Sequence, residues 1–374
     1  MPTSGIKIGR ILGIPIYLHS SWFIIFALIT YSLAEQFASD HQDWSQIQRW
    51  TLGLLTSLLF FGSVLFHELA HSVVALRFKI PVVSITLFVF GGVARIGREA
   101  TTARQEFNIA VAGPVSSYVL AGGFWLLTRV FPSSEMLGAL AGWLWWINIR
   151  LATFNLVPGF PLDGGRIFRA IVWGVSGNFE RSTRVAAGAG KLIAYGMIIF
   201  GGWRALNGNL VGGLWLAFIG WFLLTAAQEG VAQVEMRGAL AGLRAGDIML
   251  RELPTVERSI TLVDYMQELV RTGRRCHLVV DDGQLVGLMS IHALNSVPRD
   301  GWANTSVQAA MVPREKVVWS RTDEPALSLL ERMMSQDVNQ MPVVENGRVV
   351  GLVTRDSLLR MIQTRTEVGQ LARQ

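Results

Sequence analysis

The sequence has a single cysteine, Cys276, and few charged residues for its length of 374. One cysteine cannot form an internal disulfide, which excludes a small secreted domain held together by disulfides. Charged residues make up 16%, against about 25% in globular proteins, while hydrophobic residues reach 51%. Basic blocks with interleaved aromatics are also lacking, so the formal charge of +6 does not indicate a nucleic-acid partner. We therefore predict an integral membrane protein with a polar appendage.

Six apolar stretches are long enough to cross about 30 Å of hydrocarbon as helices. They are residues 11–33, 50–76, 107–131, 137–157, 185–203 and 210–227. If the N-terminus is inside, eleven lysines and arginines before the tail lie in inside segments and three in outside segments. Positive charge favours the cytoplasmic side. We therefore expect a multi-pass protein of the cell (inner) membrane with both termini in the cytoplasm.

Residues 243–364 differ in composition, and they contain an internal repeat. Residues 277–290 align with residues 341–354, so that Gly287 matches Gly351. Each copy reads strand, turn, strand, helix, and the dipeptides Asp282-Gly283 and Asn346-Gly347 are typical of tight hairpins. The tandem units resemble a pair of cystathionine-β-synthase (CBS) domains. We expect a membrane domain over 1–228, a linker over 229–242 and CBS domains over 243–298 and 299–374.

An HExxH motif lies inside the second apolar stretch, as Phe-His-Glu-Leu-Ala-His over residues 66–71. Residues four apart share a helix face, so His67 and His71 can bind one metal ion while Glu68 stands close to a water molecule there. Zinc suits these donors because it accepts imidazole nitrogens and leaves one position open. Ionisable residues within a span are costly and indicate function. The alternative is a pair of buried structural histidines.

A third metal ligand is expected, and Asp163 is the candidate. It lies 96 residues after His67, in Asn-Leu-Val-Pro-Gly-Phe-Pro-Leu-Asp-Gly-Gly-Arg over residues 155–166. Pro158 and Pro161 exclude a regular helix. Irregular backbone at membrane depth is tolerated only where it is buried in protein or lines a wet cavity. Alone, this sequence would be an ordinary turn; together with HExxH it favours a metal site.

HExxH in one span and NxxPxxPLDGG at the end of another resemble the site-2 protease family of intramembrane zinc metalloproteases, over about residues 10–230. The resemblance implies that His67, His71 and Asp163 bind one Zn²⁺ ion and that Glu68 is the general base and acid. It implies that Asn155 helps to hold the substrate carbonyl or the tetrahedral intermediate. The expected fold is an α-helical polytopic membrane protein, with about six transmembrane helices and a re-entrant β-hairpin, followed by a C-terminal α/β tandem CBS domain.

Two further segments fit this resemblance. Residues 82–98 read as two β-type runs around Gly91 and Gly92. They resemble the re-entrant hairpin whose edge strand docks substrate, although a plain surface hairpin is the alternative. Residues 112–114, Ala-Gly-Pro, resemble a small-residue motif of the family, with a packing kink as the alternative. The implied substrate is a single-span membrane protein such as an anti-sigma factor.

The tail has its own candidate site at Thr354 and Asp356. Residues 351–356 resemble the ribose-contact motif of CBS domains that bind adenine nucleotides, but the acid follows the threonine by two residues instead of three. The first copy has no acid, so at most one nucleotide site is expected. A purely structural tail, or a homodimer through the CBS domains, is the alternative. For the whole chain, the rival functions are a transporter or channel gated by the CBS pair and a non-catalytic scaffold.

Overall fold

The computed structural model describes residues 5–281 and 284–371. The chain divides into two compact units, residues 1–232 and 233–374. The elements that begin in the first unit are β1 (Gly5–Ile11), β2 (Ile14–His19), α1 (Ser20–Asp40), α2 (Gln46–Arg77), β3 (Val82–Phe88), β4 (Gly91–Ile96), α3 (Ala103–Val130), α4 (Glu135–Asn155), α5 (Asp163–Ser176), α6 (Phe179–Leu206) and α7 (Leu210–Leu240). Most of the predicted linker is thus the end of α7.

The prediction that residues 11–33 form one span was wrong at its beginning. Residues 11–19 belong to the hairpin of β1 and β2, and α1 starts only at Ser20. Ile14, Ile16 and Leu18 are buried and alternate with more exposed residues, which is the periodicity of a strand. His19 then caps α1 because its Nδ1 accepts a hydrogen bond from the backbone N–H of Ser21.

Five helices in the described part of the chain are long and apolar enough to cross a membrane, namely α1, α2, α3, α6 and α7. The predicted stretch 137–157 also forms a helix, α4, but it is not among these five. Asn148 and Arg150 lie within it. Asn148 is buried and donates from Nδ2 to Ser63 Oγ on α2, at 3.3 Å. Arg150 lies over the ring of Trp146, 4.6 Å from its centroid.

The first unit contains a four-stranded sheet in the order β1-β2-β3-β4. Strands β2 and β3 are parallel, whereas β3 and β4 form the predicted antiparallel hairpin. Gly91 and Gly92 lie at the start of β4 and not in the turn. The φ angle of Gly91 is 126°, a conformation that other residues rarely adopt. Strand β4 is an outer strand of this sheet, next to the candidate site.

The second unit has the α/β architecture expected from the repeat. Its strands run β5-β6-β7-β10-β9, with β8 paired to β7. Asn346 and Gly347 have φ angles of 50° and 81°, which confirms the predicted tight turn between β9 and β10; Asp282-Gly283 lies outside the described residues. The elements that begin in this unit are α8 (Ala245–Ile248), β5 (Thr255–Val256), α9 (Leu262–Thr272), β6 (Cys276–Asp281), β7 (Gln284–Ser290), α10 (Ile291–Asn295), α11 (Val307–Ala310), β8 (Val312–Pro313), α12 (Ala326–Ser335), β9 (Gln340–Glu345), β10 (Arg348–Thr354) and α13 (Arg355–Leu371).

Candidate active site

Helix α2 supplies two of the candidate ligands. His67 and His71 are one turn apart and only 4% exposed each. Their rings point to the same side of α2, with centroids 4.9 Å apart. The HExxH pattern thus places two imidazoles together inside the protein, as the sequence predicted.

Helix α5 supplies the third group. Asp163 is its first residue, and one carboxylate oxygen, Oδ2, lies 3.1 Å from Nε2 of both His67 and His71. The irregular segment with Pro158 and Pro161 ends α4 and turns the chain so that α5 begins at the histidines. The three side chains that the sequence singled out are therefore brought together.

The other ring nitrogens of the two histidines have partners on α3. Nδ1 of His71 donates to the backbone carbonyl of Ile109, at 2.6 Å, because a carbonyl can only accept. Nδ1 of His67 lies 2.9 Å from Ser117 Oγ. With its proton on Nδ1, a neutral His71 presents the lone pair of Nε2 to a carboxylate oxygen. A nitrogen lone pair and a carboxylate oxygen repel each other, so this contact is stable only when a proton or a metal ion lies between the two atoms.

The three groups fit a zinc ion. Their ligand atoms all lie within 4.8 Å of one another. Ligand atoms of a tetrahedral zinc ion are about 3.4 Å apart at a metal–ligand distance of about 2.1 Å, close to the 3.1 Å separations found for Asp163. Two imidazole nitrogens and one carboxylate oxygen are also the donors that catalytic zinc uses.

Gly113 on α3 provides the space that this arrangement needs. A Cβ atom at this position would come closer than 3.0 Å to Nε2 of both His67 and His71. Real Cβ atoms essentially never make such contacts, so any larger residue would displace the imidazoles. The Ala-Gly-Pro motif therefore borders the site directly.

Glu68 faces β4. Its Oε2 accepts a hydrogen bond from the backbone N–H of Ala94, at 3.2 Å. Gly92 lies against the side chain of Glu68, since a Cβ there would come within 3.0 Å of Cγ. The outer strand of the sheet therefore holds the carboxylate that the sequence assigned as the general base.

Asn155 is not joined to this group by the hydrogen bonds of the described residues. It lies at the end of α4, and its Nδ2 donates to the carbonyl of Leu151 in the preceding turn, at 3.0 Å. Its proposed contact with a substrate carbonyl stays a prediction.

A buried charge network next to Asp163 was missed by the sequence reasoning. Glu106 on α3 accepts a hydrogen bond from Nε of Arg169 on α5, at 2.8 Å, and a second from Nη2 of the same arginine. Arg166 lies 4.0 Å from Glu106 Oε1 and 4.0 Å from Asp163 Oδ1. The sequence contained a signal for this network, namely an acidic residue near the start of the third apolar stretch and basic residues three and six positions after Asp163.

Thr354 and Asp356 line a cavity of about 970 Å³ in the second unit. The hydroxyl of Thr354 accepts a hydrogen bond from the backbone N–H of Ser357, at 3.0 Å, so it caps the start of α13. Lysine and arginine exceed aspartate and glutamate in the lining, where the charged residues are Arg251, Glu252, Arg274, Arg275, Lys316, Asp337, Arg355, Asp356 and Arg360.

The chain resembles known proteins over nearly its whole length. It matches the model of peptidase family M50 over residues 55–142 and 132–197, and that of the CBS domain over residues 245–298 and 309–364. A protein of Synechocystis sp. is 34% identical over 365 residues, 96% of each chain. One of Mycobacterium tuberculosis is 37% identical over 363 residues, 96% of this chain and 92% of the relative. Their names place both provisionally among zinc metalloproteases.

Among solved structures, the site-2 protease from Methanocaldococcus jannaschii is 29% identical, with a TM-score of 0.42, over 61% of this chain and 95% of that one. The whole-length relatives and the two family models together assign the protein: the chain belongs to peptidase family M50, the site-2 protease family of membrane zinc metalloproteases, and carries a CBS domain pair.

Proposed function

We propose that this intramembrane protease hydrolyses peptide bonds within or near the membrane spans of other membrane proteins, with His67, His71 and Asp163 as zinc ligands. The observation that carries the proposal is the convergence of Nε2 of both histidines on Asp163 Oδ2, at 3.1 Å each. The histidines lie on α2 and the aspartate on α5, and all three are buried where an unpaired carboxylate would be costly.

Glu68 is the proposed general base and acid. His67, His71 and Asp163 would hold a zinc ion, which would supply a Lewis acid able to lower the pKa of a water molecule to about 7 and to polarise a carbonyl. Glu68, one residue after His67, then takes a proton from the attacking water and gives it to the leaving amine. Before substrate binds, its hydrogen bond with the Ala94 N–H orients the carboxylate. Asn155 is proposed to hold the oxygen of the scissile carbonyl.

The proposed substrate is a single-span membrane protein, such as an anti-sigma factor, cut near the cytoplasmic face. A helical substrate hides its carbonyls in intrahelical hydrogen bonds and must become extended to be cut. The outer strand β4 offers backbone groups to such an extended segment, as in β-strand addition. The contact of β4 with Glu68 supports this assignment because the segment would then lie beside the base.

Glu68→Gln tests the mechanism. The amide cannot take a proton, so we expect cleavage of membrane substrates to fall at least about 100-fold, the lower end for general acid–base catalysis, while bound zinc stays at the wild-type amount. Glu35→Gln, which alters an exposed carboxylate on α1, is the control and should cleave normally. The measurements are zinc content of the purified protein and quantitative membrane proteomics of cells that carry each variant.

Single-span proteins or fragments that accumulate only with Glu68→Gln would identify substrates. Equal cleavage by Glu68→Gln and the wild type would contradict the mechanism. The rival function, a transporter or channel, would instead show metal-dependent flux in vesicles that survives Glu68→Gln. Absence of bound zinc in the wild type would favour the scaffold.

The CBS pair is proposed to bind one adenine nucleotide and to regulate the protease from the cytoplasm. The cavity of about 970 Å³ has the size of a small-molecule site, and Thr354 and Asp356 both line it. Its excess of basic side chains favours an anionic ligand, and we propose that they bind the phosphates while Asp356 binds the ribose. Cytoplasmic termini and a homodimer through the CBS domains stay predictions.

A further inference from the structure

Helix α3 presents a row of groups to the candidate zinc ligands. The members of this row are spaced by three or four residues, and they therefore share one face of the helix. They are Glu106, Ile109, Gly113 and Ser117. Glu106 binds an arginine of α5, and the carbonyl of Ile109 accepts from the ring of His71. Gly113 borders both imidazole rings, and Ser117 contacts the ring of His67.

The two histidines differ in what orients them. His71 donates to a backbone carbonyl, that of Ile109, which no substitution can remove. His67 instead faces a side chain, because its Nδ1 lies 2.9 Å from Ser117 Oγ. Ser117 is fully buried, with an exposure of 0%, so water does not compete freely for this contact.

We propose that Ser117 is a positioning residue for the metal site. Its hydroxyl oxygen accepts the proton of His67 Nδ1, which fixes the tautomer that leaves Nε2 free to bind zinc and holds the ring toward Asp163. Histidines that bind metals generally donate their other N–H to such a partner, and its loss typically weakens metal binding 10–100-fold. The inference rests on the proposed zinc site.

The test compares Ser117→Ala with Ser116→Ala in the full-length protein. Both remove one buried hydroxyl from α3, but Ser116 donates to the Gly113 carbonyl of its own helix, at 2.7 Å, and not to an imidazole. We expect Ser117→Ala to bind Zn²⁺ about 10–100-fold more weakly in competition with a chelator. We expect Ser116→Ala to bind within about twofold of the wild type, since it leaves both imidazole contacts in place.

Two further readouts separate positioning from packing. The visible absorption bands of the Co²⁺-loaded protein report ligand geometry, and they should shift in Ser117→Ala but not in Ser116→Ala. Urea unfolding of the metal-free protein should stay cooperative in both variants, with a somewhat lower midpoint in Ser117→Ala because the Nδ1–H of His67 is left buried without its partner.

If Ser117→Ala binds zinc as tightly as the wild type, or if both variants lose the same zinc affinity, the positioning role of Ser117 is wrong and the proposed function is not affected. A wild-type protein that takes up no zinc would overturn the inference together with the proposed function. The comparison therefore distinguishes the two failures.

Discussion

Gly113 is the residue on α3 at which the metal site leaves no space for a side chain. The imidazoles of His67 and His71 occupy the position of its missing Cβ, and both rings are buried. Protein interiors are close-packed, so neither the helix nor the rings can move apart without cost.

We expect Gly113→Ala to weaken zinc binding by at least about 100-fold, because it displaces two of the three ligands at once. Gly122→Ala is the matched control, since Gly122 lies on the same helix with nothing within 4 Å of a Cβ. The control should bind zinc normally and gain up to about 1 kcal/mol of helix stability. Chelator competition on both purified variants measures the effect, and normal zinc affinity in Gly113→Ala would show that the rings can relax.

At the scale of single residues, the sequence predicted the groups that belong to a dense pattern. His67, Glu68 and His71 stand within five positions, and Asp163 stands beside two glycines and two prolines. Ser117 carries no such signal, because a serine in an apolar helix commonly bonds its own backbone, as Ser116 does. The partner of His71 is a backbone carbonyl, which no residue type reveals.

Helix α5 depends on two glycines at its start to reach the site. A Cβ on Gly164 would meet the carbonyl oxygen of Leu156, and one on Gly165 would meet the backbone of Gly159, both closer than 3.0 Å. Backbone atoms cannot rotate away as a side chain can. The position of Asp163 is thus set by the close approach of α5 to the segment that precedes it.

We expect Gly165→Ala to push α5 away from this segment and to move Asp163 off the histidines. Zinc affinity should fall at least about tenfold, and overpacking should cost about 1–3 kcal/mol of stability. Gly174→Ala on the same helix is the control, because its Cβ would meet only Ala103 Cβ at an ordinary 3.7 Å. Chelator competition and urea unfolding in detergent test both variants. Wild-type values for Gly165→Ala would contradict the proposed packing constraint on α5.

At the scale of elements, apolar length was a good guide to helices and a poor guide to where they begin. Residues 11–19 are apolar enough to continue a span, yet they belong to a hairpin, and the burial of residues 14–19 alternates with the period of two residues that is typical of a strand. The turn at Leu12 and Gly13, with φ angles of 52° and 81°, separates β1 from β2. The pairing of β2 with β3 joins segments more than 60 residues apart, and no local pattern encodes it.

The whole molecule joins a membrane enzyme to a unit with a basic cavity, and this predicts a response to nucleotide. ATP at 100 times its Kd should stabilise the second unit by about 2.7 kcal/mol. Asp356→Ala should weaken ATP and adenosine alike, whereas Lys316→Gln should weaken ATP by about tenfold or more and leave adenosine unchanged. Asp323→Ala is the control, because Asp323 pairs with Arg321 and does not line the cavity.

Pulse proteolysis of the full-length protein in urea measures this binding. Cleavage of a membrane substrate with and without ATP, in the wild type and in Asp356→Ala, then tests regulation. A cleavage rate that ATP does not change in the wild type would contradict regulation by ATP. Composition and the repeat predicted this two-part organisation, but they could not predict the charge of a cavity lined by residues more than 100 positions apart.

If substrate pairs with β4 as proposed, the hydrogen bond between Ala94 and Glu68 makes substrate binding an exchange of hydrogen-bond partners. A backbone N–H is a single donor, and in the fold described here that of Ala94 is occupied by Glu68. An incoming strand that pairs with β4 at Ala94 must take this donor from the carboxylate. Arrival of the polypeptide would then remove the hydrogen bond that holds Glu68 Oε2 against β4, so the carboxylate would be fixed in the empty enzyme and free to reorient once substrate is bound.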